Sequence, residues 1–275
     1  MYATPLVRAA AAVQRGLEAL GLFADVAKAE FRKLRSVRST YWTLLAAVVL
    51  TVGLGAGAGA FVPGHLSAAD RQSVDAVRLS LGGLHLSQIA VGVLGVLAVT
   101  AEYGTGTIRT TFSAVPQRRL VVAAKAVVFA ATALAVGAVS CFGGYFAYEA
   151  ALSDSSMSSS LGDPGVLRAL LGGGVYLAVL GLLGLGIGLV VRVGAGAIAA
   201  LFCLLFVPGI LVDLLPGAWR DTVGPYAPME AGSQIFIASS RGQTALGPWG
   251  GLGVFALYAA LALLAGFALV NRRDA

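Results

Sequence analysis

Few residues of this 275-residue chain are of types that do chemistry, and their spacing decides what they can do. The two histidines, His65 and His85, and the two cysteines, Cys141 and Cys203, form no cluster with metal-ligand spacing. Both cysteines lie inside apolar runs and read as buried free thiols; a disulfide framework takes several cysteines in a short secreted chain. A Ser87, His85 and Asp213 triad can be assembled on paper, but the three fall at different depths of their apolar segments, and no catalytic role is expected. No GxxxxGK[ST] occurs, so no ATP site is expected on this chain. The glycine runs Gly53 to Gly59 and Gly184 to Gly188 lack the βαβ setting of a dinucleotide loop. Their 53/57, 55/59 and 184/188 pairs are spacings that let helices approach closely, either within one subunit or at a dimer seam. His85 and Gln88, about one helical turn apart, are polar groups in an apolar run, with Ser80 and Ser87 nearby. Asp213 and Glu149 lie near the ends of such runs. Polar groups are costly in lipid, so these are candidates to line a substrate path, or are interfacial or paired between helices.

The elements that position these residues follow from composition. Hydrophobic residues make up 58% of the chain and charged residues 12%, against about 25% charged in an ordinary soluble domain. Mean hydropathy is +0.86. Such a chain lacks the polar surface to cover a water-soluble globule, which excludes a soluble enzyme, a disordered chain and a nucleic-acid-binding domain despite the +6 charge. The remaining solvent is lipid. A spanning helix needs about 20 mostly apolar residues, and six such spans are expected, at about 41–61, 79–101, 121–149, 167–191, 195–215 and 249–270. The apolar stretch from Val166 to Leu215 is too long for one crossing, and Arg192-Val193-Gly194 is the charged break where it turns back. In lipid every backbone polar group needs an internal partner, so the spans are helices, and the alternating pattern of a membrane β-barrel is missing. The first apolar run begins at residue 41, after a basic stretch, and reads as an anchor rather than a cleaved signal. The expected class is an all-α integral membrane protein, with a transmembrane domain over 41–271 preceded by a cytoplasmic or interfacial segment over 1–40.

Lys and Arg set the orientation. With both termini inside, only Arg71, Arg78, Arg168, Arg220 and Arg241 of the 19 basic residues fall outside. The acids lean outward, among them Asp70, Asp75, Glu149, Asp163, Asp213 and Glu230. The basic balance therefore reports topology in a cytoplasmic membrane, not a nucleic-acid partner.

Two stretches between the spans are informative. Residues 22–38 form a basic amphipathic segment: Phe23, Val26, Ala27, Phe31, Leu34 and Val37 share one face, while Lys28, Arg32, Lys33 and Arg35 lie away from its centre. Such a helix lies flat at the headgroups. Glu30 falls near the middle of the apolar face, either snorkelling or locally paired, or in contact with a basic partner residue. Residues 1–21 show similar spacing and predict another surface helix, or a loosely held one. The second stretch follows span two, residues 102–119. Gly104 and Gly106 allow a sharp exit, and Thr105 or Thr107 can cap a new helix. Ile108, Phe112 and Val115 form one apolar stripe, Pro116 stops the helix, and Arg118-Arg119 mark the next membrane boundary. On the opposite side, Ser153–Ser160 reads as a flexible polar linker. Residues 216–248 carry four prolines and a short apolar patch, 235–238, too short to span.

The stretch EYGTGTIRTTFSAVPQRRLVVAAK (102–125) resembles the loop after the second of six spans in ABC (ATP-binding-cassette) type-2 exporter permeases. There an acidic residue, a Gly-Thr pair, a basic residue, a Pro-x-Arg-Arg-like turn and a Lys recur. AEFRKLRSVRSTYW (29–42) is similar to that family's interfacial helix. The resemblance implies that residues 102–119 are a coupling loop docking on a separate ATPase subunit, which holds the ATP and Mg. Glu102, Thr107, Arg109 and Arg118 are the matching polar positions, with Ile108 and Phe112 beside them. Glu30, Phe31, Lys33 and Arg35 are the corresponding interfacial positions. It further implies a second permease copy, as a homodimer or with a related chain, and short re-entrant helices before span six. His85, Gln88 and Asp213 are then candidate pathway residues. The competing class is a stand-alone carrier, immunity or scaffold protein. A coupled carrier would show mid-membrane charges in two similar halves, and neither is evident here.

Overall fold

Long apolar runs in lipid leave a chain only the helix as a way to satisfy its own backbone. The computed structural model describes residues 5–153, 155–238 and 246–272, and these are helical throughout their regular parts. In chain order the helices are α1 (Pro5–Ser36), α2 (Arg38–His65), α3 (Ala68–Ser73), α4 (Ala76–Ser80), α5 (Leu84–Gly104), α6 (Thr107–Ala114), α7 (Arg118–Ala151), α8 (Val166–Val191), α9 (Gly194–Asp213), α10 (Gly217–Val223), α11 (Pro228–Ser233) and α12 (Pro248–Arg272). Six of them, α2, α5, α7, α8, α9 and α12, are long and apolar enough to cross a membrane. That is the helix set of a multi-pass membrane protein.

Cys141 is buried, but Cys203, expected to be buried too, is exposed on α9. Four further expectations are corrected. First, residues 1–21 and 22–38 do not form separate helices; α1 runs unbroken from Pro5, residues 1–4 lying outside the described part. Gly16 and Gly21 each cost a helix about 1 kcal/mol relative to Ala, which weakens it but does not stop it, and no proline follows Pro5 in the run. The break comes at Val37, whose φ of −86° and ψ of 109° are extended. Second, the second span begins at Leu84, not at residue 79. Asp75 accepts a hydrogen bond from the Arg78 amide and caps the short α4, and a turn at Leu81–Gly83 separates it from α5. The backbone of Gly83 presses on that of Thr51 in α2, where a side chain would collide. Third, the serine-rich linker is tied down. Ser158 and Ser159 hydroxyls donate to Glu149 at 2.8 and 2.9 Å, and the Tyr145 hydroxyl donates to the Ser159 carbonyl at 2.6 Å. Fourth, neither threonine caps α6. Its N-cap is Gly106, with no side-chain cap.

Helix α8 is the hub, packed against α5, α7, α9 and α12. Its glycines permit this. A Cβ at Gly184 would lie 2.6 Å from the Gly92 carbonyl of α5, and one at Gly186 would lie 2.7 Å from the Leu263 amide of α12. Gly55 meets the Gly144 carbonyl of α7 in the same way, whereas Gly53 and Gly57 face open space. The 55/59 and 184/188 spacings are thus seams within one subunit. Hydroxyls add polar ties: Ser87 donates to the Ala47 carbonyl at 2.6 Å and lies 2.7 Å from Thr51 Oγ1, joining α5 to α2. The α8–α9 reversal falls at Arg192, the expected break, with a left-handed φ of 64°. That conformation is unfavourable for a side chain with a Cβ. It is held by the guanidinium stacking 4.8 Å from the Tyr103 ring centre.

At the end of the bundle opposite α6, the patch 235–238 closes the gap between α8 and α12. A short 3₁₀ turn, Gln234–Phe236, buries Ile235 against Gly172 and sets Phe236 edge-on to Tyr176 at 4.9 Å. Asp75 accepts from the Ala238 amide at 2.9 Å, and Arg168 donates to the Ile237 carbonyl at 2.7 Å.

Candidate functional site

The site lies where α1, α5, α6 and α7 meet. Helix α5 ends at Gly104, and Gly106 takes a φ of 73°, a left-handed turn that suits a residue without a side chain. The chain then enters α6. Thr105 Oγ1 donates back to the Ala101 carbonyl at 2.9 Å and lies 3.0 Å from Thr107 Oγ1, so both threonines knit the turn. The expected stripe is present and faces the chain's own interior: Ile108 and Phe112 are buried, and Val115 packs beside them. Arg109, Thr110 and Ser113 form the exposed side of α6. Arg118, expected as a docking residue, works as a clamp. Its guanidinium sits 5.4 Å from the Phe112 ring centre and donates to the Val270 carbonyl of α12 at 3.1 Å. The connection between α5 and α7 is therefore an ordered helix fixed at both ends.

Behind α6 four charged side chains close a ring. Lys125 donates to Glu30 at 2.5 Å and to Glu102 Oε1 at 2.8 Å. Lys33 donates to Glu30 at 2.8 Å and to the same Glu102 oxygen at 3.0 Å. The ring is neutral and joins α1, α5 and α7. Glu30 is 3% exposed and Lys125 6%, while the Lys33 side chain is 45% exposed at the rim. Burial draws the Lys33 ammonium down, but the Glu30 hydrogen bond and the Glu102 and Glu30 charges outweigh it and hold its pKa above the ordinary 10.5. Buried ions persist in an apolar bundle only when paired. Glu30 thus pairs locally with Lys33 and also meets a basic residue, Lys125, from another helix.

Lys125 is the residue sequence reasoning missed as a site. Its signal was available: one lysine inside the apolar run VVAAKAVVFAA, where an ionisable group is a functional candidate by default. Of the interfacial residues, Glu30 and Lys33 join the ring, while Phe31 and Arg35 point outward and are exposed. The three proposed pathway residues do not come together. His85 is exposed at the start of α5. Gln88 is buried and takes a hydrogen bond from the Tyr176 hydroxyl, whose ring stacks on Phe255. Asp213 borders a cavity of about 780 Å³ between α9, α10 and α11, with Arg220, Asp221 and Glu230. A second cavity of about 220 Å³ adjoins the charged ring.

No protein-family model matches this chain, and no curated protein matches it significantly.

Proposed function

We propose that the chain is the transmembrane permease subunit of an ATP-driven exporter of the ABC type-2 kind, in the cytoplasmic membrane with both termini inside. A separate ATPase subunit supplies the energy, and a second permease copy completes the pathway. The substrate class is a drug-like, peptide or lipid-like molecule.

The observation that carries this reading is α6. A plain connector between two spans needs no buried stripe and no clamp. Here Ile108 and Phe112 anchor the helix to its own bundle, and the polar side with Arg109, Thr110 and Ser113 is left exposed. A partner that pushes on that side moves a helix wired to the spans. Arg118 links it to the end of α12, and Glu102, one turn back, links α5 to α1 and α7 through Lys125 and Lys33. Such a device moves these helices as one body. Nucleotide shifts the equilibrium only if the ATPase binds the two arrangements with different affinity.

The test is co-purification of the chain with a candidate ABC ATPase subunit, followed by ATPase assay in lipid nanodiscs. Arg109→Glu is the probe, because Arg109 is exposed and its replacement leaves the fold intact. Phe112 is unsuitable, since its loss opens a cavity in the chain's own core. Capture of the ATPase by wild type and its loss in Arg109→Glu, with unchanged thermal unfolding, supports the reading. Equal capture by both overturns the assignment of the dock to the exposed side of α6, and no capture by either in any nucleotide state overturns the exporter reading and moves the stand-alone carrier or scaffold forward.

A further inference from the structure

Helix α1 turns its apolar face to its own bundle. Val26 and Glu30 are buried there, and Leu22, Phe23, Ala27 and Leu34 pack against the core. At about 100° per residue the opposite side carries Lys28, Phe31, Arg32 and Arg35, and all four are exposed. Arg38 follows, also exposed, just past the extended break at Val37. The charges on this elbow do not cancel. Glu30 and Lys33 belong to the neutral ring, and Lys28 meets Asp25 at 3.2 Å. The guanidiniums of Arg32, Arg35 and Arg38 have no ion-pair or hydrogen-bond partner among the described residues. Arg38 also heads an apolar strip. Trp42, Leu45 and Val49 follow it at i+4, i+7 and i+11 on one side of α2, and each is exposed. At about 1.5 Å per residue the strip is about 16 Å long, close to the hydrocarbon depth of one leaflet in a core of about 30 Å. Tyr41 and Trp42 stand at its charged end, as aromatic side chains do at a membrane interface. Phe31 and Val37, exposed among the arginines, add apolar surface at the same end.

We propose that the α1–α2 elbow binds an anionic phospholipid, its phosphate among Arg32, Arg35 and Arg38 and its chains along Trp42, Leu45 and Val49. The inference requires only that the chain spans a membrane; it does not rest on an ATPase partner. A cationic head above an apolar strip of leaflet length matches a phosphate carried on acyl chains. An acidic partner protein would match the arginines but not the strip. A second copy of this chain would match the strip but bring a second set of arginines to the same end. Each arginine near an anionic surface favours it about fivefold.

One of the chain's three tryptophans lies in the elbow and serves as a local probe. Trp219 and Trp249, both exposed, are changed to Phe, so that Trp42 alone reports. The full chain is reconstituted in phosphatidylcholine vesicles that contain either phosphatidylglycerol or phosphatidylcholine brominated high on its acyl chains. Quenching of Trp42 is followed against the brominated fraction. Phosphatidylglycerol is expected to occupy the elbow about tenfold or more in preference to phosphatidylcholine. Arg32→Gln, Arg35→Gln and Arg38→Gln together bring the two lipids to equal effect. These side chains are exposed and unpartnered, so thermal unfolding stays unchanged; Arg38→Gln alone lowers the preference about fivefold and keeps the test open if the triple variant misfolds. A chain with Trp219 as its sole tryptophan, at the opposite end of the bundle, shows no such preference. Equal quenching by the two lipids at Trp42 overturns the proposal, as does a preference that survives the triple replacement or is equally strong at Trp219. Little quenching by either lipid overturns it too and gives the strip to a protein partner.

Discussion

Replacing Lys125 by Ala should be among the most damaging single changes in this chain. The substitution leaves Glu30 and Glu102 facing each other, with only Lys33 to share. Glu30 is 3% exposed, so water does not replace the lost ammonium. Removing one member of a buried ion pair costs about 3–5 kcal/mol, because the other charge stays behind. That is a large part of the about 5–15 kcal/mol that holds an average protein folded. Lys33 makes the same two contacts from the rim, where its side chain is 45% exposed, and a pair screened in this way is worth about 1 kcal/mol or less. Two lysines with matching partners are thus predicted to differ by several fold in effect. Replacing the buried members together, Glu30→Gln, Lys125→Met and Glu102→Gln, removes the stranded charges and should recover most of the loss. The assay is thermal unfolding in one detergent, read by thiol labelling of the fully buried Cys141 after the exposed Cys203 has been changed to Ser. Equal losses for Lys125→Ala and Lys33→Ala, or a Lys125→Ala loss below about 1 kcal/mol, would refute the view that burial makes this ring matter.

Two further outcomes follow from the same geometry. Gly184→Ala drives a methyl group to 2.6 Å from the Gly92 carbonyl and should cost about 1–3 kcal/mol, whereas Gly57→Ala meets nothing and should gain up to about 1 kcal/mol from helix propensity; melting curves of the two variants check the contrast. Because the folded chain raises the Lys33 pKa above 10.5, the pairing stabilises fully below that pH and is lost as pH climbs through the raised value. The stability difference between wild type and Lys33→Met should therefore be flat from neutral pH to about 10 and shrink above it, and a difference that changes near neutral pH would contradict the assignment.

The spans, the reversal at Arg192 and the loop helix were readable from the sequence alone because each is a local property. A run of about 20 apolar residues is a crossing whatever lies beside it. The stripe Ile108, Phe112 and Val115 followed by Pro116 is a short amphipathic helix in any surroundings. Boundaries were less readable where a neighbour decided them. The second span starts at Leu84 because Gly83 is pinned on Thr51 of α2, a contact that hydropathy does not encode.

Tertiary structure alone decided which polar groups meet. Glu30 and Lys125 are 95 residues apart, and Gln88 and Tyr176 are 88 apart. Each pair forms because the rotation of one helix against another brings two isolated polar side chains to the same seam. The sequence showed that Glu30 sat on an apolar face and that Lys125 interrupted an apolar run, but not that the two compensate each other. Likewise it showed the stripe on α6 but not that the stripe turns inward, which buries Phe112 and leaves Arg109 on the exposed side. The physical reason is the same in both cases. Hydrophobicity along the chain sets which residues leave water. Once nearly every surface is apolar, it no longer says which face of a helix meets which neighbour. That choice rests on glycine seams such as Gly184 on Gly92, and on the cost of leaving a buried charge unpaired.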